Sequence, residues 1–173
     1  METVSLSKID VAKRELDHAI RLFFNYGDIV VIHLVISACQ DILEGLNGDY
    51  QSIRRELMKR VKKEKRSYVM SKLKHAYNFL KHADKDKKEL LDFNPESSEY
   101  SIIDAIGLYQ AITGEITGLM ITFRAWFYLK NPNFLLDSEQ KKVLLDTAIN
   151  VSIDDRAFFL EAAENYEKKR SGV

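Results

Sequence analysis

Apolar residues recur at three- and four-residue steps along most of this chain, the spacing typical of amphipathic helices. Ser7 and Asp10 resemble a capping box, and the apolar steps that follow predict a first helix over 8–25. A turn with Gly27 leads into a second helix over 29–46 that is apolar on nearly all sides. Because a helix that is hydrophobic all round lies inside its fold, this second helix is predicted to be central.

A long basic helix is predicted next, capped by Asp49, with a helical pattern that resumes at Tyr68 and ends near Leu80. Its inward-facing positions are expected to be Ile53, Leu57 and Val61. A charged tract over 84–98 is predicted as a loop. Further helices are predicted over four stretches: Ser101 to Gly114, residues 116–130, residues 138–148, and residues 153–169 after a cap at Ser152.

No alternating apolar and polar stretch is long enough to predict a sheet. The expected fold is therefore all-α, a single-domain helical bundle of six to seven helices over residues 1–173. The residues expected in its core include Ile32, Leu34, Val35, Ile36 and Trp126. The length of 173 residues suits one domain with a hydrophobic core, and seven Gly and two Pro leave few positions that break helices.

The single cysteine, Cys39, lies in an apolar run and is expected to be a buried, reduced thiol, which favours a cytoplasmic location. The apolar runs over 29–39 and 119–129 are shorter than the ~20 residues that a membrane-spanning helix needs, so no membrane contact is expected. The N-terminal residues carry no basic and hydrophobic signal region. The run over 119–129 is rich in Trp, Tyr, Phe and Arg, and is interpreted either as core or as the interface of a homodimer.

Charge is concentrated in one segment, residues 51–82, which carries eleven Lys/Arg against two acids. This net charge of +9 lies in a chain whose net charge is zero, so the segment is predicted to present a basic face to an anionic partner. Nucleotide or RNA phosphates are the first candidates, and an acidic protein comes next. The alternative is a solvated face, or one neutralised by acids elsewhere in the fold. The residues assigned to the basic face are Arg54, Arg55, Lys59, Arg60, Lys62 and Lys63.

A second candidate site closes the same segment. Asn78 and His82 are four residues apart, and Lys74 and His75 precede them by one helical turn. Together with Lys81 they could hold a phosphate, because lysine supplies charge while imidazole and amide groups supply N–H donors. The alternative is an ordinary C-terminal turn of a helix, in which His82 hydrogen-bonds free carbonyls.

Polar residues also interrupt the apolar second helix, where His33, Ser37 and Asp41 form a row extended by Gln40 and Glu44. Since an unpaired buried polar group costs ~1–3 kcal/mol, this row must find partners on other helices. The expected partners are Asn78, His82 and Tyr109, with the segment 74–84 favoured for His33. The row is interpreted as a structural hydrogen-bond network, with a ligand-binding or catalytic role as the alternative.

The order of residues in the first two helices resembles a known family. The steps Ala12, Leu16, Ala19 and Phe23 lead into the Gly27–Asp28 turn, and Ala38, Gln40 and Ile42-Leu43-Glu44 follow on the second helix. This layout is similar to the opening helical hairpin of HEPN (higher eukaryotes and prokaryotes nucleotide-binding) domains, and covers about the first half of the chain. The resemblance implies a small helical bundle that forms dimers.

The HEPN ribonucleases carry an Arg that is separated from a later His by four to six intervening residues. His82 is the candidate for that His, but the positions with four, five or six residues between are Tyr77, Ala76 and His75. The ribonuclease motif as usually written is therefore absent from this sequence.

Three hypotheses follow from these patterns. The first is a binding module whose basic face contacts nucleotide, RNA or an acidic partner. The second is a metal-independent ribonuclease with His82 as general acid or base, Lys74 stabilising the phosphorane and Asn78 orienting the phosphate. The third is a self-associating structural protein. No cofactor or metal ion is expected, since the one Glu-x-x-His pattern, at Glu15 and His18, lacks the second copy that a di-iron bundle needs.

Overall fold

The computed structural model describes residues 3–46, 48, 52–82, 87–134, 139–148 and 150–172. Over these residues the chain is a single all-α helical body with nine α-helices and no strand. The helices are α1 (Lys8–Phe24), α2 (Ile29–Leu46), α3 (Ile53–Arg60), α4 (Arg66–Leu73), α5 (His75–Lys81), α6 (Glu96–Thr113), α7 (Gly118–Lys130), α8 (Glu139–Thr147) and α9 (Arg156–Arg170). Short 3-10 turns occupy Lys63–Lys65 and Pro132–Phe134.

The first two helices begin where their capping residues predict. The Oγ of Ser7 accepts the backbone N–H of Asp10, and the Asp10 carboxylate accepts the N–H of Ser7 at 3.0 Å, which completes the capping box. Asp28 Oδ1 accepts the N–H of Val30 at 2.8 Å at the start of α2. Both helices end within one residue of the predicted limits.

The predicted number of six to seven helices is wrong, because the basic segment forms three short helices. Val61, with φ −92° and ψ 134°, is extended and ends α3, and Lys74 separates α4 from α5. None of the described side chains of α3 and α4 is buried, so no apolar stripe holds them in one straight helix. Ile53, predicted to face inward, is 56% exposed. The predicted cap Asp49 and the side chain of Leu57 lie outside the described parts of the chain.

Two other helices begin at residues that the sequence did not indicate. α6 starts at Glu96 rather than Ser101, because Asn94 Oδ1 accepts the N–H of Glu96 at 3.0 Å. The predicted loop over 84–98 therefore ends at Pro95, and residues 84–86 lie outside the described ranges. α9 is capped by Asp155 instead of Ser152, since Asp155 Oδ1 accepts the N–H of Phe158 at 3.1 Å.

The core forms where α1, α2, α6, α7 and α9 pack together. Its centre is aromatic: the Phe23 ring lies 4.6 Å from the Trp126 ring and 5.2 Å from the Phe123 ring, centroid to centroid. Ile32, Ile36 and Trp126 are buried as predicted. Val35 is only half-buried against the core, and Leu34 is 38% exposed, so these two positions lie towards the outer side of α2.

Two apolar segments have a defined place in this body. In the run over 119–129, five residues are buried within their own chain, which favours the core interpretation of α7: Leu119, Met120, Phe123, Trp126 and Phe127.

The second segment is α2, whose mean hydropathy is 1.7 over 18 residues. By length and composition alone, this helix is long and apolar enough to cross a membrane. Here α2 packs between α1 and α6.

Candidate anion-binding groove

The polar row of α2 faces two other helices, α3 and α6. His33, Ser37 and Gln40 are buried, whereas Asp41 and Glu44 lie at the edge of the helix and are half-buried. The members of the predicted row therefore divide between a buried inner group and an outer, half-buried acidic pair.

His33 is the innermost member and is 4% exposed. Its Nδ1 shares a hydrogen bond of 3.2 Å with the hydroxyl of Ser98, on α6, and its ring meets the Phe93 ring edge-on at 5.1 Å. The expectation of a polar partner on another helix is thus confirmed, but the partner is not in the predicted segment 74–84. Burial, together with the nearby charge of Arg54, lowers the pKa of His33 to about 4, so the imidazole is neutral near pH 7.

A buried hydrogen-bond network lies about two turns further along α2, at Gln40. Gln40 Nε2 donates to Asp104 Oδ2 at 3.0 Å, and Arg54 Nη2 donates to Gln40 Oε1 at 2.6 Å. Asp104 also accepts the backbone N–H of Ile53 at 2.8 Å, in the first turn of α3. Burial raises the pKa of Asp104, while the Ile53 N–H and the Arg54 charge partly oppose that effect. This network attaches the start of α3 to the core and sets the direction of the Arg54 side chain.

The outer acids of α2 contact cations of the basic segment. Lys74 Nζ lies 2.6 Å from Asp41 Oδ1, and Arg54 Nη1 lies 3.8 Å from the same oxygen. Arg55 Nε lies 3.4 Å from Glu44 Oε2. Acids from elsewhere in the fold therefore neutralise part of the basic segment, which is the alternative that the sequence had left open.

A groove of about 450 Å³ lies beside these ion pairs, between α2 and the two helices α3 and α4. Five cations surround it, and two methionines give its walls an apolar surface; the lining residues are Glu44, Arg54, Arg55, Met58, Lys59, Arg66, Met70 and Lys74. Lys59 is paired with Glu56 on its own helix at 2.6 Å, and Arg66 Nε donates to the carbonyl of Val61 at 3.1 Å. Among the described residues, three acids contact cations of the groove: Asp41, Glu44 and Glu56.

The predicted basic face divides into two parts. Arg54, Arg55 and Lys59 line the groove. Arg60, Lys62 and Lys63 are exposed beyond it, at the end of α3 and the following turn. This second part extends the positive charge along the surface outside the groove.

The members of the predicted cluster at the end of the segment have different contacts. Lys74 Nζ is held at Asp41 and lines the groove, whereas Lys81 Nζ lies 5.2 Å from the centre of the Tyr77 ring. His75 and Asn78 are exposed on α5, and His82 is the residue that ends α5, its backbone N–H donating to the Asn78 carbonyl at 3.0 Å.

Three groove residues were absent from the sequence prediction: Met58, Arg66 and Met70. The roles of Gln40 and Asp104 in holding Arg54 and the start of α3 were absent as well. Arg66 belongs to the basic segment but was not assigned to the basic face. The available signal was the acidic edge of α2 beside an excess of cations, since buried or half-buried acids require partners. Among the described residues, no group of three or more His, Cys, Asp or Glu side chains is placed to hold a metal ion.

No family model, curated protein or solved structure matches this chain.

Proposed function

We propose that this protein is a HEPN-like binding module whose groove between α2, α3 and α4 takes phosphate groups of a nucleotide or of RNA. The observation that supports this proposal is the lining of the groove: its cavity of about 450 Å³ has five Lys/Arg and one acid among the described lining residues. A volume of this size is in the range that binds small organic ligands.

The side chains of the groove suit such a ligand in two ways. Guanidinium groups bind phosphate oxygens through pairs of N–H donors, and Arg54 is held in one orientation by Gln40. Met58 and Met70 offer flexible apolar surface on which a base or sugar can pack. The exposed cations Arg60 and Lys62 would continue the contact along a longer strand.

The proposal is tested by fluorescence anisotropy with a labelled single-stranded RNA at several salt concentrations. Three or four phosphate contacts give a slope of roughly −2 to −3 in a plot of log affinity against log salt. The double variant Lys59→Glu/Arg66→Glu reverses two groove cations that lie outside the buried network. Its expected affinity at low salt is at least tenfold lower, and its slope is smaller in magnitude by about 1.4.

A matched control is available on α8 and α9. Lys142, like Lys59, pairs with a Glu three residues before it, and Lys169 is an exposed cation, as Arg66 is. Lys142→Glu/Lys169→Glu therefore changes the net charge by the same amount and should bind RNA nearly as well as the wild type. Equal losses in both variants would show that only the overall charge matters. Failure of the wild type to bind any polyanion at low salt would leave an acidic protein as the partner.

The ribonuclease alternative has no comparable support from the geometry. It requires Lys74 beside His82 to stabilise a phosphorane, but the Lys74 ammonium contacts Asp41 on α2. A homodimer, which the HEPN resemblance implies, is part of the proposal and is measured by light scattering coupled to gel filtration.

A further inference from the structure

A second cavity, of about 500 Å³, lies between the start of α1, the C-terminal half of α2, and α5. Its apolar surface comes from Ala38, Ile42 and Leu46 on α2 and from the ring of Tyr77 on α5. Gly45 also lines it, and a Cβ placed on Gly45 would meet no atom within 4 Å, so this part of the wall is open space. Leu46 is 42% exposed, so part of its apolar side chain is accessible to a ligand in the cavity.

The charges around this cavity favour an anion. Two exposed lysines line the cavity: Lys8 at the start of α1 and Lys81 at the end of α5. Among the described lining residues the acid is Asp41, which is already paired with Lys74 at 2.6 Å on the side of the groove. In the described part of the chain, neither Lys8 nor Lys81 forms an ion pair with a carboxylate.

We propose that this cavity binds a small amphipathic anion, separate from the ligand of the basic groove. The apolar body of the ligand packs on Ala38, Ile42 and Leu46, in the space left by Gly45. Its anionic head contacts the ammonium groups of Lys8 and Lys81. Lys81 Nζ lies 5.2 Å from the centre of the Tyr77 ring, which holds one of the two cations at the cavity wall.

Octanoate is a suitable probe, measured by isothermal titration calorimetry against the full chain. Each buried methylene strengthens binding about fourfold, so hexanoate and butanoate should bind progressively more weakly. Octanol, which has the same body but no charge, should bind at least tenfold more weakly than octanoate. Octyl phosphate, compared with octanoate, identifies which anionic head the two lysines accept better.

The site is then tested by filling it. Gly45→Leu places a large side chain in the open space and is expected to weaken octanoate binding at least tenfold. Gly107→Leu is the matched control, because Gly107 is also an exposed helical glycine whose added Cβ meets nothing within 4 Å, but it lies on α6 outside the cavity. The control should bind octanoate as the wild type does.

A second variant keeps the test independent of any effect of Gly45→Leu on folding. Lys8→Gln/Lys81→Gln should weaken octanoate about tenfold and leave octanol unchanged. Octanoate binding that survives Gly45→Leu, or a wild type that binds octanol as tightly as octanoate, would overturn the proposal. RNA binding by Gly45→Leu should be unchanged, so failure of this site and failure of the groove are distinguishable.

Discussion

The ammonium of Lys74 lies 2.6 Å from Oδ1 of Asp41, and this ion pair joins the break between α4 and α5 to the C-terminal half of α2. Arg54 approaches the same carboxylate oxygen at 3.8 Å. Without a ligand, the groove therefore satisfies some of its own cations with the acidic edge of α2. An incoming phosphate would compete with Asp41 for these two side chains.

Asp41→Asn is expected to strengthen binding of single-stranded RNA. The substitution removes a competing negative charge beside two groove cations, and a charge a few ångströms away in water is worth about 1 kcal/mol. Affinity at low salt should rise roughly threefold to tenfold, and the slope of log affinity against log salt should become steeper by about 0.7. Fluorescence anisotropy across a salt series measures both quantities.

The control for this prediction is Asp146→Asn on α8, which changes the net charge equally at an exposed position outside the groove. Its RNA affinity should stay close to that of the wild type. Unchanged or weaker binding by Asp41→Asn would show that Asp41 does not compete with the ligand.

His33 is expected to make the folded protein sensitive to mild acid. Because burial lowers the pKa of His33 to about 4, from 6.5 for an ordinary histidine, the unfolded chain takes up the proton before the folded one does. The contribution of His33 to the free energy of unfolding is thus greatest above pH 6.5 and decreases as the pH falls towards 4. The loss at pH 4 is roughly 3 kcal/mol.

His33→Gln keeps a side chain able to hydrogen-bond Ser98 and removes the titration. Urea unfolding at pH 7, 6, 5 and 4 should show a shallower decline for this variant than for the wild type. His75→Gln, which removes an exposed imidazole on α5, serves as the control and should follow the wild-type decline. Asp104 acts in the opposite direction, since its raised pKa favours the folded state as the pH falls, and it is common to all three proteins. Parallel curves for the wild type and His33→Gln would contradict the prediction.

The sequence predicted best where the signal is local. Ser7, Asp10 and Asp28 cap α1 and α2 through bonds to backbone groups only two or three residues away, so the starts of these helices follow from adjacent residues. The start of α6 was missed because Asn94-Pro95-Glu96 has the composition of a loop, although Pro suits the first turn of a helix.

The polar row of α2 was also predictable in part, because its signal lies within one stretch of sequence. His33, Ser37 and Asp41 stand out because they interrupt an apolar helix, and that contrast is visible without a structure. Their partners are not visible, since Ser98 is 65 residues from His33 and Asp104 is 64 residues from Gln40. Helical periodicity gives the face of one helix and carries no information on which helix lies against it.

Gly107 inside α6 and Gly114 at its C-terminal end should respond to alanine in opposite directions. Gly114 follows the last residue of α6 with φ 73°, a left-handed conformation that a Cβ disfavours, and its N–H donates to the Gln110 carbonyl at 2.8 Å. Gly114→Ala should therefore lower the free energy of unfolding by about 1 kcal/mol. Gly107 lies inside the helix, is exposed, and has open space around an added Cβ, so Gly107→Ala should raise it by about 0.5–1 kcal/mol. Urea denaturation of the two variants beside the wild type checks both signs at once, and changes of the same sign would show that helix propensity and the helix end do not govern these positions.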